Sequence, residues 1–360
     1  MAPLLKDLYN ETYINLLCKN LKEEYPKFNA QDFQKRLFDS DWEKKELKER
    51  MQYIPLTLGD YLPKKYVDAI EILVATFNKM NFAFGLENMI FQEFVALYGL
   101  HNLKVSLKAL ESFTIGSSSE FAIREFILKY PKETMAQMLL WAKSENEHVR
   151  RLASEGSRPR LPWAIALPNF KRQPKEVLKI LEILKDDESA YVRKSVANNL
   201  NDISKDNPEI VIELTHQWLH FSKNRDALLK HGCRTLLKQS EQRVLMLFGF
   251  KTPTDISLED FSALESVQIG DNFPFSFTLK SNSELGKLRI EFAIYFVRKN
   301  NKSHKKVFKI SEGNYSEKEK QIQKTYSFKT ISTRKYYRGL HKVAIIINGK
   351  LLKAKEFTLF

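Results

Sequence analysis

Cysteine is nearly absent from this chain, whose 360 residues include only Cys18 and Cys233. Two thiols so far apart build neither a disulfide framework nor a zinc site, and they suit a reducing compartment. Long apolar runs are missing too, and nothing approaches the ~20 residues that a membrane helix needs. From Met1 to Tyr25 the apolar positions are broken by Lys6, Asp7, Glu11 and Lys19, so there is no signal-peptide core. These absences predict a soluble, cytoplasmic protein. The loop Gly116-Ser117-Ser118-Ser119-Glu120 lacks the lysine and spacing of a phosphate-binding loop, so nucleotide hydrolysis is not indicated. It reads as the N-terminal cap of the helix that contains Arg124. No close-spaced Asp, Glu and His set of the kind that holds a catalytic metal is found, and no metal or cofactor is expected.

What is present describes a folded protein: 43% of residues are hydrophobic and 12% aromatic. The length exceeds one ordinary core, so two domains are expected. The formal charge of +14 favours a polyanionic partner, nucleic acid or an acidic membrane surface, although charge alone also serves solubility.

The apolar period divides the chain near residue 250, predicting a helical domain over 1–250 and a β domain over 257–360. Helices are expected to start at Pro131, Pro174 and Pro208, because proline's missing N–H is tolerated at the first helical position. Their apolar stripes correspond: Met135, Met138, Leu139 and Ala142; Val177, Ile180, Leu181 and Leu184; Val211, Leu214 and Trp218. Eighteen residues beyond each proline a second helix is under way, at Val149-Arg150-Arg151, at Val192-Arg193-Lys194 and at Asp226-Ala227-Leu228. Paired helices at spacings of 43 and 34 residues are HEAT-like, and such units bury their faces against neighbours to form a solenoid. After Phe250 the period shortens. Val267–Leu279, Leu288–Val297, Lys306–Ile310, Thr325–Phe328, Val343–Ile347 and Glu356–Phe360 read as strands, with Asn348-Gly349 as a hairpin turn. The expected fold is an all-α HEAT-like solenoid followed by an all-β immunoglobulin-like sandwich, with Tyr336 and Tyr337 in a candidate tyrosine corner.

Three segments offer chemistry. Ser154 to Trp163 leaves a helix at Gly156 and carries Arg158, Arg160, two prolines and Trp163, which puts guanidinium groups and a stacking surface outside any helical ladder. The blander account is a tryptophan plugging the seam between repeats and two solvated arginines. Asn198, Asn199, Asn201 and Asp202 crowd a helix end, where polar residues usually cap. Basic residues recur at the second-helix positions (Arg150, Arg151, Arg193, Lys194, Lys230, Arg234, Lys238), as either a solvated face or a stripe for a DNA backbone. The repetition and the overall charge favour DNA.

Residues 119–250 resemble the AlkC branch of bacterial alkylation-repair glycosylases, relatives of the AlkD proteins. The resemblance rests on Glu147 to Trp163 (EHVRRLASEGSRPRLPW) and Tyr191 to Asp202 (YVRKSVANNLND), and it is looser over 1–118. Some members carry an immunoglobulin-like C-terminal domain, which the tail resembles. The resemblance implies a monomeric DNA glycosylase without cofactor whose cleft is lined by Glu120, Glu155, Trp163 and Asp202. It also implies that the lesion is reached in bent duplex DNA without being buried in a pocket. N3-methyladenine is the implied lesion, with 3-methylcytosine a further candidate.

Carboxylates without a histidine or metal suit that chemistry, because a base alkylated at a ring nitrogen is cationic and leaves without a general acid. Asp202 is expected as the main catalytic carboxylate, assisted by Glu155 and Glu120, with Trp163 against the sugar or base. Arg150, Arg151, Arg158, Arg160, Arg193, Lys194, Lys230 and Arg234 are expected on the DNA backbone. No lysine stands out as a Schiff-base nucleophile, so the glycosylase is expected to be monofunctional. The C-terminal domain, with Lys299, Lys302, Lys305, Lys306, Arg334, Arg338 and Lys342, is expected to contact the duplex. A non-catalytic HEAT-repeat scaffold binding DNA or protein is the alternative, and release of free methylated base separates the two.

Overall fold

The computed structural model describes residues 4–80, 85–299, 302–331 and 334–360, so Met1–Pro3 of the N-terminal stretch lie outside the described residues. Sixteen α-helices precede eight β-strands among them, as the change of period predicts. Pro131 and Pro208 open helices Pro131–Trp141 and Pro208–Trp218, and Pro174 caps Lys175–Leu184. In each the missing N–H falls where no intrahelical partner exists. Val177, Ile180, Leu181 and Leu184 are buried as expected. In the first helix Trp141 is buried while Leu139 is only half-buried, and in the third Ile212 and Thr215 are buried while Leu214 is half-buried.

The second helices are Glu147–Gly156, Ala190–Ile203 and Lys223–Gly232, and the middle one packs against both others. The first ends in a close approach. A Cβ on Gly156 would lie 2.6 Å from Ile123 Cγ2, so only glycine fits there.

The row of arginines has a structural role. Arg150 Nη1 donates to the carbonyls of Ser144 and Glu145 at 3.0 and 2.8 Å. Arg193, one repeat later, donates to those of Asp187 and Glu188 at 2.6 and 2.8 Å. Each arginine ties its helix to the turn before it, so its recurrence follows from the repeat itself. Arg150 also forks onto Asp187 of the next repeat at 2.6 and 3.0 Å.

Two compact units emerge. One runs to Asn207 and takes in Ser222–Gly232; the other comprises Pro208–Phe221 and Cys233–Phe360. The second therefore holds helices Pro208–Trp218, Arg234–Lys238 and Gln242–Leu247 with all the strands.

The strands are β1 (Ile256–Ala263), β2 (Ser266–Val267), β3 (Asn272–Ser281), β4 (Gly286–Val297), β5 (Ser303–Tyr315), β6 (Glu319–Ser327), β7 (Gly339–Ile347) and β8 (Lys350–Leu359). They form two sheets, β1-β3-β6 and β2-β8-β7-β4-β5, antiparallel except for β2 beside β8. The inner faces are rich in phenylalanine. Phe273 stacks on Phe357 with centroids 4.1 Å apart, and Phe292 on Phe308 at 5.0 Å. Such pairs add about 0.5–1.5 kcal/mol each beyond their burial. Asn348 and Gly349 turn the β7–β8 hairpin with φ of 47° and 80°, as the sequence predicts. The turn is buried against helix Gln242–Leu247: Asn348 Oδ1 accepts from Arg289 N at 2.7 Å, and a Cβ on Gly349 would lie 2.6 Å from Leu245 Cδ1. The Tyr336 hydroxyl meets that of Tyr326 at 3.1 Å and reaches the Ser327 carbonyl only at 3.5 Å, so a backbone-bonded tyrosine corner is at most weakly formed.

Candidate active site

Glu120, Glu155 and Asp202 come from three places: the turn before helix Ile123–Lys129, the last turn of Glu147–Gly156, and the last turn of Ala190–Ile203. The structure brings them together through cations. Glu120 accepts from Ser118 Oγ at 2.5 Å and pairs with Arg151 Nη1. Arg151 Nη2 lies 3.7 Å from Glu155. Glu155 Oε1 accepts from Arg158 at 2.6 Å and its Oε2 from Ser195 Oγ at 2.6 Å. Arg158 Nε reaches Asp202 at 2.8 Å, and Lys205 Nζ closes the series on the other Asp202 oxygen at 3.0 Å. The result is a ladder in which three carboxylates alternate with three cations. Burial works against the Arg151 and Arg158 charges, but the neighbouring carboxylates outweigh it and raise both pKa values.

Access to the ladder is graded. The side chain of Glu120 is 14% exposed, that of Glu155 7% and that of Asp202 1%. Each Asp202 oxygen meets one cation, Arg158 or Lys205, and of the two Lys205 is the more exposed, at 38%. Asp202 neither points outward nor caps its own helix, yet Glu120 is the carboxylate that faces solvent.

Trp163 sits outside the ladder on the loop that follows Arg158. Its side chain is not the plug of a seam: the residue is 61% exposed, with φ at 66°. A bulky residue rarely adopts that conformation, which costs on the order of 1–3 kcal/mol and persists only where surrounding contacts enforce it. Those contacts are visible. Lys48 Nζ donates to the Trp163 carbonyl. The fully buried Arg124 donates to the carbonyls of Ile165, Gly156 and Arg158 at 2.6, 3.0 and 2.7 Å, tying the two ends of the loop together. Burial, with Arg158 nearby, lowers the Arg124 pKa to about 10. Trp163 shares a cavity of about 110 Å³ with Phe121, the residue after Glu120.

The arginines assigned to a DNA backbone fare unevenly. Arg151 and Arg158 are buried in the ladder or nearly so, which argues against Arg158 as a phosphate contact in this arrangement. Arg160 forks onto Asp206 at 2.6 and 2.8 Å, and Arg150 and Arg193 hold turns. Lys194 is exposed with no ion pair among the described residues, while Lys230 and Arg234 are half-buried, Arg234 in the other compact unit. The Gly116–Glu120 loop does not cap a helix through Glu120, because helix Ile123–Lys129 begins three residues later.

Residues passed over in the sequence also belong here. Tyr191 lies under Arg151, 5.1 Å from guanidinium to ring centroid, and its hydroxyl has no hydrogen-bond partner among the described residues. Burial raises its pKa, with Arg151 opposing. Arg124 had a faint signal, a charge paired only with its neighbour Glu125 among the apolar Ala122, Ile123, Phe126 and Ile127. Lys205 had none, since a lysine one turn after an aspartate is usually a surface pair.

Comparison with known proteins shows the family. A family model described as a DNA alkylation repair enzyme matches residues 114–231, and one described as the C-terminal Ig-like domain of uncharacterised protein YhaZ matches 257–360. YhaZ of Bacillus subtilis (strain 168) is 44% identical over 355 residues, covering 98% of both chains. The alkylpurine DNA glycosylase AlkC of Pseudomonas fluorescens, solved bound to DNA containing an abasic site analog, is 34% identical. It superposes with a TM-score of 0.93, over 99% of this chain and 100% of that one. Helical repeats ahead of an Ig-like sandwich, a repair-enzyme model over the carboxylate ladder and full-length likeness to AlkC together place the chain in the AlkC-type family of DNA alkylation repair proteins.

Proposed function

We propose that the protein is a monofunctional DNA glycosylase that hydrolyses the N-glycosidic bond of cationic N-alkylated bases in duplex DNA, N3-methyladenine and 3-methylcytosine among them, and so initiates base excision repair. The same reading has it act as a monomer. The observation that carries this reading is the ladder itself: three carboxylates fixed by cations, beside an exposed tryptophan held in a strained conformation.

An alkylated base is already positively charged, so it departs neutral with the electron pair of the C1′–N bond. The sugar left behind is oxocarbenium-like. A fixed carboxylate gains strength as that charge forms, and because its partners hold it in place, no reorganisation is needed at the moment of reaction. Glu120, the accessible end of the ladder, faces the sugar and takes the proton of the attacking water. Glu155 adds its field, and Asp202 fixes Arg158 and through it Glu155. Trp163 packs against the lesion nucleotide, where a cationic base is attracted to its ring. Lys205 is engaged by Asp202 and is not the amine of a Schiff base. The basic sandwich adds to the hold on the duplex.

Purified protein should release free methylated base from alkylated duplex DNA, and Glu120→Gln should slow release by about 10²–10³. Borohydride should trap no covalent adduct. A protein that binds alkylated DNA and releases nothing is the non-catalytic scaffold instead.

A further inference from the structure

The sandwich contains a recess for which duplex contact has no use. It lies where the end of β4, the start of β5 and the segment Arg334–Tyr337 meet, with a volume of about 820 Å³. Its cations are Arg298, Lys299, Lys306, Arg334 and Lys335, with His304 beside them, and among the described residues no acidic one lines it. Among the described residues none of the five forms an ion pair. Burial, and to a lesser extent Arg334 and Lys238 nearby, holds the Lys306 ammonium below its usual pKa.

The remaining lining is Val297 and three aromatic residues, Phe296, Tyr336 and Tyr337. The Arg334 guanidinium lies over Phe296 and Tyr336, 5.9 and 5.8 Å from their centroids. Its Nη1 is turned onto the Tyr326 and Tyr336 hydroxyls, which leaves its other nitrogens without a partner among the described residues. Tyr337 is half-buried, and its hydroxyl likewise has no partner there. A backbone phosphate alone needs an exposed cation and no recess. A ring that carries a phosphate needs both the flat surfaces and the unpaired cations found here.

We infer that this recess binds unpaired nucleotides of single-stranded DNA, a base stacking among its aromatic rings and the adjoining phosphates meeting Arg334, Lys299 and Lys335. The choice of DNA rests on the reading of the chain as a DNA-repair enzyme. Stacking accounts for tolerance of any base, since every base has a flat face, and cations along the rim follow the backbone.

The test uses the full chain and two probes: a labelled single-stranded oligonucleotide carrying one 2-aminopurine, and an unmodified duplex of the same length. The single strand should bind with quenching of the 2-aminopurine. Tyr337→Leu should weaken single-strand binding about tenfold and remove the quenching while duplex affinity stays the same. The double charge reversal Lys299→Glu with Lys335→Glu should weaken the single strand more than the duplex, and circular dichroism should show both variants folded. Equal losses for the two probes, or no quenching in the wild type, would overturn the site in favour of a general basic surface. An RNA strand of the same sequence bound more tightly than the DNA would overturn the choice of DNA. Base release from methylated duplex is read separately: its absence with single-strand binding intact refutes the glycosylase and spares the recess.

Discussion

The repeats and the sandwich differ in how far their cations are balanced by carboxylates. In the repeats, Arg150, Arg151, Arg158, Arg160 and Arg225 each face a carboxylate. In residues 257–360 there are 20 Lys and Arg against 10 Asp and Glu, so that +10 of the total +14 lies in this stretch. Charge that is neutralised within a fold shapes a site; charge left over attracts a partner. Most of the uncompensated positive charge therefore lies in the sandwich, and under the proposed function it is the repeats that organise the reaction.

The sharpest way to break that contrast is to remove a rung. Glu155→Ala leaves Arg158 and Arg151 buried beside an empty place, and should destabilise the protein by about 3–5 kcal/mol, read as a lower urea midpoint, with base release lost. Asp202→Asn keeps the shape and removes the charge. Base release should fall by about 10²–10³ while duplex affinity is unchanged, and undiminished excision would refute a role for this carboxylate. Trp163→Gly separates ring from backbone: glycine accepts the positive φ, so thermal stability should hold or rise slightly while excision drops at least about tenfold. The smallest effect concerns salt. Lys305→Glu with Arg338→Glu in the sandwich should flatten the plot of log affinity against log salt by about 0.9 for each phosphate no longer neutralised. Arg193→Ala should leave that slope alone and lower stability by about 1 kcal/mol. A slope that responds to Arg193 and not to the sandwich would reverse the comparison.

Much of the architecture was legible, and the failures have physical causes. Prolines marked helix starts because their chemistry is local, and Asn348-Gly349 marked a hairpin for the same reason. β1 was missed because Glu259 and Asp260 interrupt it at a bulge, where Asp260 has φ of 48°. β6 was seen only at its end because just Ile322 and Tyr326 of its nine residues are buried. At the site, the residues themselves drew attention to Asp202 at a polar helix end and to the loop of Glu120, but the catalytic roles of the three carboxylates came from resemblance to a family. Their cationic partners lie 31 to 44 residues away along the chain for Glu120–Arg151 and Arg158–Asp202, a distance that no periodicity reports. The recurring arginines were a true pattern with two possible causes, for a residue that clamps a turn repeats as faithfully as one that binds a phosphate.

Helix Pro208–Trp218 belongs to the second compact unit, although its sequence neighbours on both sides belong to the first. That matters while the chain is being made. Its packing helix Gln242–Leu247 and the strands emerge from the ribosome later. At about 5–20 residues per second, the apolar face of Val211, Ile212 and Trp218 waits on the order of ten seconds before the last strand is complete. During synthesis this helix must wait for part of its packing, so its apolar face is a place where a chaperone or a second nascent chain has apolar surface to meet.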